Sequence, residues 1–385
     1  MEILFVSHKY PPATGGMEKQ SFELINGMKR LTGVHALVLQ PGESRVRFFW
    51  MLQKRIRLIL KENPNIRFIH FNDGLIAAYG LILRDFPRIQ RIVTLHGLDV
   101  VFPSYLYQRF IFPRFESFDL IVAVSRATAN ACETRGISPE KIVVIPNGVD
   151  EGPVSALTRA EVDDLLSDRY KVRSQGKKIL VAIGRPVKRK GFSWFMEHVM
   201  PLLHRDFILL MIGPISRRKR RVSGLDLFPK FLRRKLELFL GAPNDEFAIE
   251  KLMKKERSGR MNRLGKIPRE EIQAILAVAD AFIMPNIDVE GDMEGFGLVC
   301  LEASVCGTRV FASASGGISD AIVDGKNGIL IPPGDARSWA KHLNQLIDDP
   351  DSIPLNENEI STFTREHFSW KKMCAEYLFH FYRIS

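Results

Sequence analysis

Short apolar runs of strand character alternate along this chain with longer amphipathic segments, and the alternation stops once and starts again. The first series is Ile3–Val6, Ala36–Leu39, Phe68–Phe71, Ile92–Leu95, Leu120–Val124 and Ile142–Ile145. A loose polar stretch near 151–177 interrupts it, and the second series is Lys178–Ile183, Ile208–Ile212, Ala281–Met284, Arg309–Ala312 and Gly328–Ile331. Strands separated by helix-length segments read as βαβ units around a parallel sheet, so a rhythm that restarts reads as two doubly wound α/β domains. Length agrees: 385 residues exceed what one hydrophobic core accommodates. Such sheets bind ligands at the carboxyl ends of their strands, so catalysis is expected in the crevice between the two.

With 45% hydrophobic and 26% charged residues the composition is that of a globular protein, not a disordered or fibrous one. Cys132, Cys300, Cys306 and Cys374 form no CxxC pair, which argues for reduced structural thiols and against a zinc site. Glu2 stands where an export signal would be basic, and no run reaches the ~20 apolar residues that cross a bilayer. A cytoplasmic protein is expected, with any membrane contact peripheral.

The formal net charge of +11 is concentrated in two places. Residues 45–62 carry Arg45, Arg47, Lys54, Arg55, Arg57 and Lys61 against Glu62, and 216–235 carry nine Lys or Arg against Asp226 alone. Both point to an anionic surface as a partner. Trp50, Phe48, Phe49, Met51 and Leu52 lie among the first group of cations, a pattern that lays a helix on an anionic membrane or packs it on its own domain. Residues 216–262 read as a long, charged, helical insertion.

The strongest chemical signal is Glu294-Gly295-Phe296-Gly297-Leu298-Val299-Cys300-Leu301-Glu302. One glutamate lies in a glycine loop and the other on the helix that the loop opens. Glycines admit close approach of a ligand, and helix-start amides suit a diphosphate while the inner carboxylate accepts from ribose hydroxyls. Gly184-Arg185-Pro186-Val187-Lys188-Arg189-Lys190-Gly191 follows a strand, placing Arg185 and Lys190 at its carboxyl end. Two fixed cations there can stabilise a departing nucleoside diphosphate in place of a metal. Gly15-Gly16 after the first strand is a phosphate-sized nest, although the third glycine of a dinucleotide fingerprint is absent. His96-Gly97 ends another strand, so the imidazole is expected to face the crevice. Ser125-Arg126 and Asn147–Asp150 end later strands and read equally as caps or turns. Asp288, Glu290 and Asp292 resemble a metal cluster only superficially, and their alternation with Val289 and Gly291 reads as a solvated acidic loop.

In this order, together with Gly316-Gly317 and Asp324-Gly325 through Pro332–Asp335, these stretches resemble the retaining glycosyltransferases of family 4 over nearly the whole chain. The resemblance implies a GT-B fold, with two Rossmann-like domains facing a central cleft. Residues 1–152 form the acceptor-side domain and 153–367 the nucleotide-sugar domain, and the tail helix in 368–385 packs back on the first. It implies that Arg185 and Lys190 hold the donor diphosphate, Glu302 the ribose, and Glu294 with the Phe296, Gly297 and Leu298 backbone the transferred sugar. His96 is then near the reacting carbon, Ile267 touches the base through its backbone, and Gly16 approaches the phosphates or the acceptor. The co-substrate is a nucleotide-diphosphate sugar, UDP- or GDP-linked, with no metal and no other cofactor. Front-face attack, in which the leaving phosphate oxygen takes the acceptor's proton, retains the anomeric configuration. The acceptor is a glycan or a lipid-linked molecule. The rival readings are another GT-B sugar enzyme, a phosphorylase or an epimerase, and, more distantly, a nicotinamide dehydrogenase or a basic nucleic-acid-binding protein. No nucleic acid is expected, because neither basic segment has the zinc spacing or aromatic stacking motif of such readers.

Overall fold

The computed structural model describes residues 2–83, 86–150, 157–174, 176–204, 206–215, 245–256 and 258–384. The chain divides into two compact units, one comprising Met1–Val149, Met293–Leu298 and Phe368–Ser385, the other Asp150–Asp292 and Val299–His367.

The first unit is built on six parallel strands, β1 (Glu2–Ser7), β2 (Gly33–Val38), β3 (Ile66–Phe71), β4 (Gln90–Leu95), β5 (Leu120–Ala123) and β6 (Ile142–Val144), in the order β2-β1-β3-β4-β5-β6. Alternate side chains of each strand serve two different cores, as the pleat dictates. Ile3, Phe5, Phe68, Ile92 and Val122 meet Leu24, Ile25 and Met28 of the helix Gly16–Met28, and Tyr377 and Phe381 of the helix Trp370–Arg383. Leu4, Val6, Ile69, Phe71, Val93 and Leu95 meet Phe48, Leu52, Ile56 and Leu60 of the helix Arg45–Glu62. The close packing of the two helices on the first face shows at Gly27, where a Cβ would stand 2.4 Å from Cys374 Sγ.

That register corrects the reading of residues 45–62. Phe48 and Leu52 are fully buried core, so they are not part of any outward surface. The outward side carries Val46, Trp50 and Leu58, with Trp50 82% exposed, among the exposed Arg45, Arg47, Lys54 and Lys61.

The second unit has six parallel strands, β7 (Lys178–Ile183), β8 (Phe207–Ile212), β9 (Met261–Gly265), β10 (Ala281–Met284), β11 (Val310–Ser313) and β12 (Ile329–Ile331), in the order β12-β11-β10-β7-β8-β9. Leu180, Ala182, Leu209, Met211, Ile283 and Phe311 share a core with Phe195, Trp339 and Leu343. Asp280 ties the amino end of this sheet to the helix Arg159–Tyr170: it accepts from the Ile179 amide at 2.8 Å and pairs with Arg159 and Lys178, each at 3.3 Å.

Residues 245–262 are not one helical insertion: the helix Glu246–Lys255 returns the chain to the sheet, and β9 follows. The basic run 216–235 lies outside the described residues. Among the described residues no helix is long and apolar enough to cross a membrane.

Candidate functional site

Strand order reverses once in each sheet, and at a reversal the connecting chains leave in opposite directions and open a crevice at the strands' carboxyl ends. In the first unit the reversal lies between β1 and β3. β1 runs out into His8 and β3 into Asn72 and Asp73. His8 Nδ1 stands 3.0 Å from Asp73 Oδ2, with both side chains almost wholly buried. The other Asp73 oxygen accepts from the Ile76 amide at 3.0 Å, capping the helix Gly74–Gly80. Burial works to raise the Asp73 carboxyl, but the contact with His8 and the amide bond outweigh it and hold the group below its ordinary range.

His96, at the end of the next strand, donates from Nε2 to the Asn72 carbonyl at 2.8 Å, which fixes its tautomer. Its own amide donates to Asp99 Oδ1 at 2.8 Å, and Asp99 Oδ2 accepts from Gly74 at 3.1 Å. Burial pushes Asp99 above its ordinary value. Behind this rim runs a buried chain of polar groups. Asn72 Nδ2 donates to Gln20 Oε1 at 2.9 Å, Gln20 Nε2 donates to the Tyr377 hydroxyl at 3.3 Å, and Thr94 Oγ1 bridges Tyr377 and His70 at 2.8 Å each. Burial, reinforced by His96, pulls His70 down to about 3, so it is a neutral hydrogen-bonding group.

The turn Met293–Leu298 belongs to this same unit and lies against the His96 turn. Gly97 adopts φ 96°, and a Cβ there would stand 2.9 Å from Gly295 Cα; a Cβ on Gly295 would stand 2.0 Å from the His96 carbonyl. Glycine at both positions is therefore what lets the Glu294 turn reach His96. Gly297 has φ 89°, the Phe296 side chain is buried and packs towards Phe368, and Gly16 faces Leu298. The structure thus brings Gly16, His96, Glu294, Phe296, Gly297 and Leu298 together within the first unit.

In the second unit the reversal lies between β7 and β10. Gly184, Gly213 and Gly265 end β7, β8 and β9 side by side: Gly184 donates to the Ile212 carbonyl and Gly213 to the Gly265 carbonyl, each at 2.9 Å. The cationic turn rises from there. Arg185 is exposed and Lys190 only 8% exposed. Gly191 closes the turn at φ 65°, where a Cβ would stand 1.9 Å from the Pro285 carbonyl. Ile267 lies two residues beyond β9, half-buried, and Glu302 sits in the helix Leu298–Ser304 that follows β10. Arg185, Lys190, Ile267 and Glu302 all belong to this unit.

The acidic residues before Glu294 are exposed at Asp288 and Glu290, as a solvated loop should be, but the Asp292 side chain is not. Asp292 pairs with Arg189 at 3.4 Å with its side chain 5% exposed, Asp288 accepts from Ser315 Oγ at 2.7 Å, and the Arg189 carbonyl accepts from the Ile287 amide at 2.9 Å. Pairing with Arg189 explains the exception at Asp292, since a buried carboxylate persists only when paired. Ser125 is a helix cap, accepting from Thr128 at 3.1 Å. Sequence reasoning passed over His8, Asn72, Asp73 and Gln20. Their one signal is position, each polar group standing just beyond a strand end or at the first helix.

Two doubly wound parallel sheets in one chain are the GT-B architecture, and a solved structure of Anabaena Alr3699/HepE in complex with UDP and glucose matches 100% of both chains with TM-score 0.72 at 18% identity. The family Glycosyl transferases group 1 matches residues 167–362, and Glycosyltransferase Family 4 matches residues 4–152. The D-inositol 3-phosphate glycosyltransferase of Corynebacterium urealyticum is 35% identical over 332 residues, 82% of this chain and 70% of that protein. Its counterpart from Corynebacterium aurimucosum is 28% identical over 321 residues, 78% of this chain and 68% of that protein. The chain belongs to the group 1, family 4 glycosyltransferases.

Proposed function

We propose that this glycosyltransferase moves a sugar, with retention of configuration, from a UDP- or GDP-linked donor to a glycan or lipid-linked acceptor in the synthesis of cell-surface polysaccharide, lipopolysaccharide or glycolipid. The observation that carries the reading is the cationic turn, Arg185 to Lys190, standing where the strand order of the second sheet reverses. A diphosphate leaving the sugar gains charge as the glycosidic bond breaks, and cations already fixed in place stabilise that charge with little reorganisation. In this role Arg185 and Lys190 receive the diphosphate without a catalytic metal, Glu302 binds the ribose and Ile267 the base. Glu294, with the backbone of Phe296, Gly297 and Leu298, binds the transferred sugar, with His96 beside its reacting carbon and Gly16 at the phosphates or the acceptor. The leaving phosphate oxygen takes the acceptor's proton, so no protein base is needed.

The outward side of the helix Arg45–Glu62 supports a peripheral position on an anionic membrane, at its cytoplasmic face. Exposed Trp50, Val46 and Leu58 offer apolar contact there, and Arg45, Arg47, Lys54 and Lys61 surround them with positive charge.

A thermal-shift screen across UDP- and GDP-sugars tests the donor site, because a ligand that binds only the folded state raises its melting temperature. The preferred donor raises Tm, and Arg185→Ala and Glu302→Ala each abolish the rise. An undiminished shift in both variants refutes this assignment of the site.

A further inference from the structure

Asp245 occupies the N-cap position of the helix Glu246–Lys255, where an aspartate normally turns its carboxylate back onto the helix's own first amides. Here it does not: no side-chain cap is made, although the Asp245 carbonyl accepts from Ile249 at 3.0 Å as a cap residue's should. The carboxylate is directed at Ser193 instead. Oδ2 accepts from the Ser193 amide at 2.9 Å and Oδ1 from the Ser193 hydroxyl at 2.6 Å. The Asp245 amide, at the same time, donates to the Pro186 carbonyl at 2.7 Å. One buried residue, 5% exposed, thereby grips the chain at Pro186, next to Arg185 inside the cationic turn, and at Ser193 just past its closing glycine.

We infer that Asp245 is a positioning residue for the diphosphate site, fixing the spread of the Arg185–Lys190 turn through Pro186 and Ser193. The inference rests on the reading of that turn as the donor diphosphate site and extends it to a residue remote in sequence. Electrostatic stabilisation by fixed cations depends on their being held in advance, and Arg185 is itself exposed, so the rigidity of its backbone must come from such clamps. The carboxylate serves the turn at the expense of its own helix, which is how a residue placed for the site differs from one placed for the fold.

Asp245→Ser separates the two roles. A serine hydroxyl is short and a good N-cap, so it restores the local helix cap while releasing Ser193. Affinity for UDP and GDP is measured by titration calorimetry on the full chain, with Tm in parallel. For the nucleotide that binds the unaltered chain, Asp245→Ser is expected to weaken binding about 10-fold with Tm nearly unchanged. Asp245→Asn, which accepts from the Ser193 amide, recovers most of the affinity. Combined with Arg185→Ala, Asp245→Ser is expected to add less than its own separate loss, because both act through one turn. Ser193→Ala removes only the hydroxyl bond, gives a smaller loss in the same direction, and carries the test should Asp245→Ser fail to fold. Wild-type affinity in Asp245→Ser and Ser193→Ala beside an impaired Arg185→Ala, or losses that multiply in the double variant, overturns the inference alone. Wild-type affinity in Arg185→Ala overturns this inference, and the same result in Glu302→Ala beside it overturns the donor-site reading as well.

Discussion

The two sheets follow one winding rule and place opposite chemistry where it reverses. At the reversal of the first, between β1 and β3, the side chains are a histidine paired with a buried aspartate, His8 and Asp73, backed by Asn72, Gln20, Thr94 and Tyr377 in a closed chain of hydrogen bonds. At the reversal of the second, between β7 and β10, β7 ends in Gly184 and the turn bearing Arg185 and Lys190, and β10 runs into Pro285. The first sets a buried carboxylate, Asp73, beside neutral hydrogen-bonding groups, and the second sets cations. Architecture alone therefore does not set the chemistry of a lobe; the residues at each reversal do.

The sharpest way to break this contrast is at the turn that serves the first unit although it follows β10 of the second sheet. Gly295→Ala puts a Cβ 2.0 Å from the His96 carbonyl and forces the Glu294 turn away from His96. Transfer activity should fall on the order of 100-fold, the penalty typical of an ångström-scale displacement at a reacting centre. Binding of the free nucleotide, UDP or GDP, by calorimetry should change far less, since Arg185 and Lys190 belong to the other unit; equal losses in both would erase the distinction between the lobes.

A smaller effect probes the closed polar chain. His70 is held neutral, with its pKa moved from 6.5 to about 3, so below about pH 6.5 the unfolded chain binds a proton that the folded chain refuses. Stability of the first unit should thus rise with pH between about 3 and 6.5, falling by about 1.4 kcal/mol per unit on acidification within that window. Urea midpoints at pH 7 and pH 5 measure this, and His70→Gln should flatten the slope. An unaltered slope in that variant means that other groups carry the acid sensitivity.

The smallest effect concerns the surface of the first unit. Lys54→Gln should weaken adsorption to vesicles containing anionic lipid by about 5-fold, about 1 kcal/mol for one juxtamembrane charge, and Trp50→Ser should weaken it independently of salt. Indifference of both variants to lipid charge would leave the helix Arg45–Glu62 as a packing element only.

Much of this was legible in the sequence because parallel strands wound by helices are buried runs. Lys178–Ile183 and Ala281–Met284 are read to the residue, and Gly33–Val38 is misplaced only at its ends. β9 escaped because Met261-Asn262-Arg263-Leu264-Gly265 is an edge strand with polar residues in its middle, too short and mixed to show a period. Phe48 and Leu52 were grouped with Trp50 because all lie in one basic stretch; only the sheet decides which side of a helix is inward. Arg185, Lys190 and Glu302 could be picked out as candidates because strand ends and glycine loops surround them locally. His8 with Asp73, Arg189 with Asp292, and Asp245 with Ser193 could not, since each pair is made by residues far apart in the chain and no local pattern announces either partner.

The helix Trp370–Arg383 supplies Tyr377 and Phe381 to the core on one face of the first sheet. On the ribosome this means that the lobe begun first is completed last: a nascent chain emerging through residue 367 carries everything needed for the second sheet and an exposed, half-covered first one. Deleting Trp370–Arg383 would accordingly injure the lobe whose strands are made before those of the other, although the deleted residues follow both.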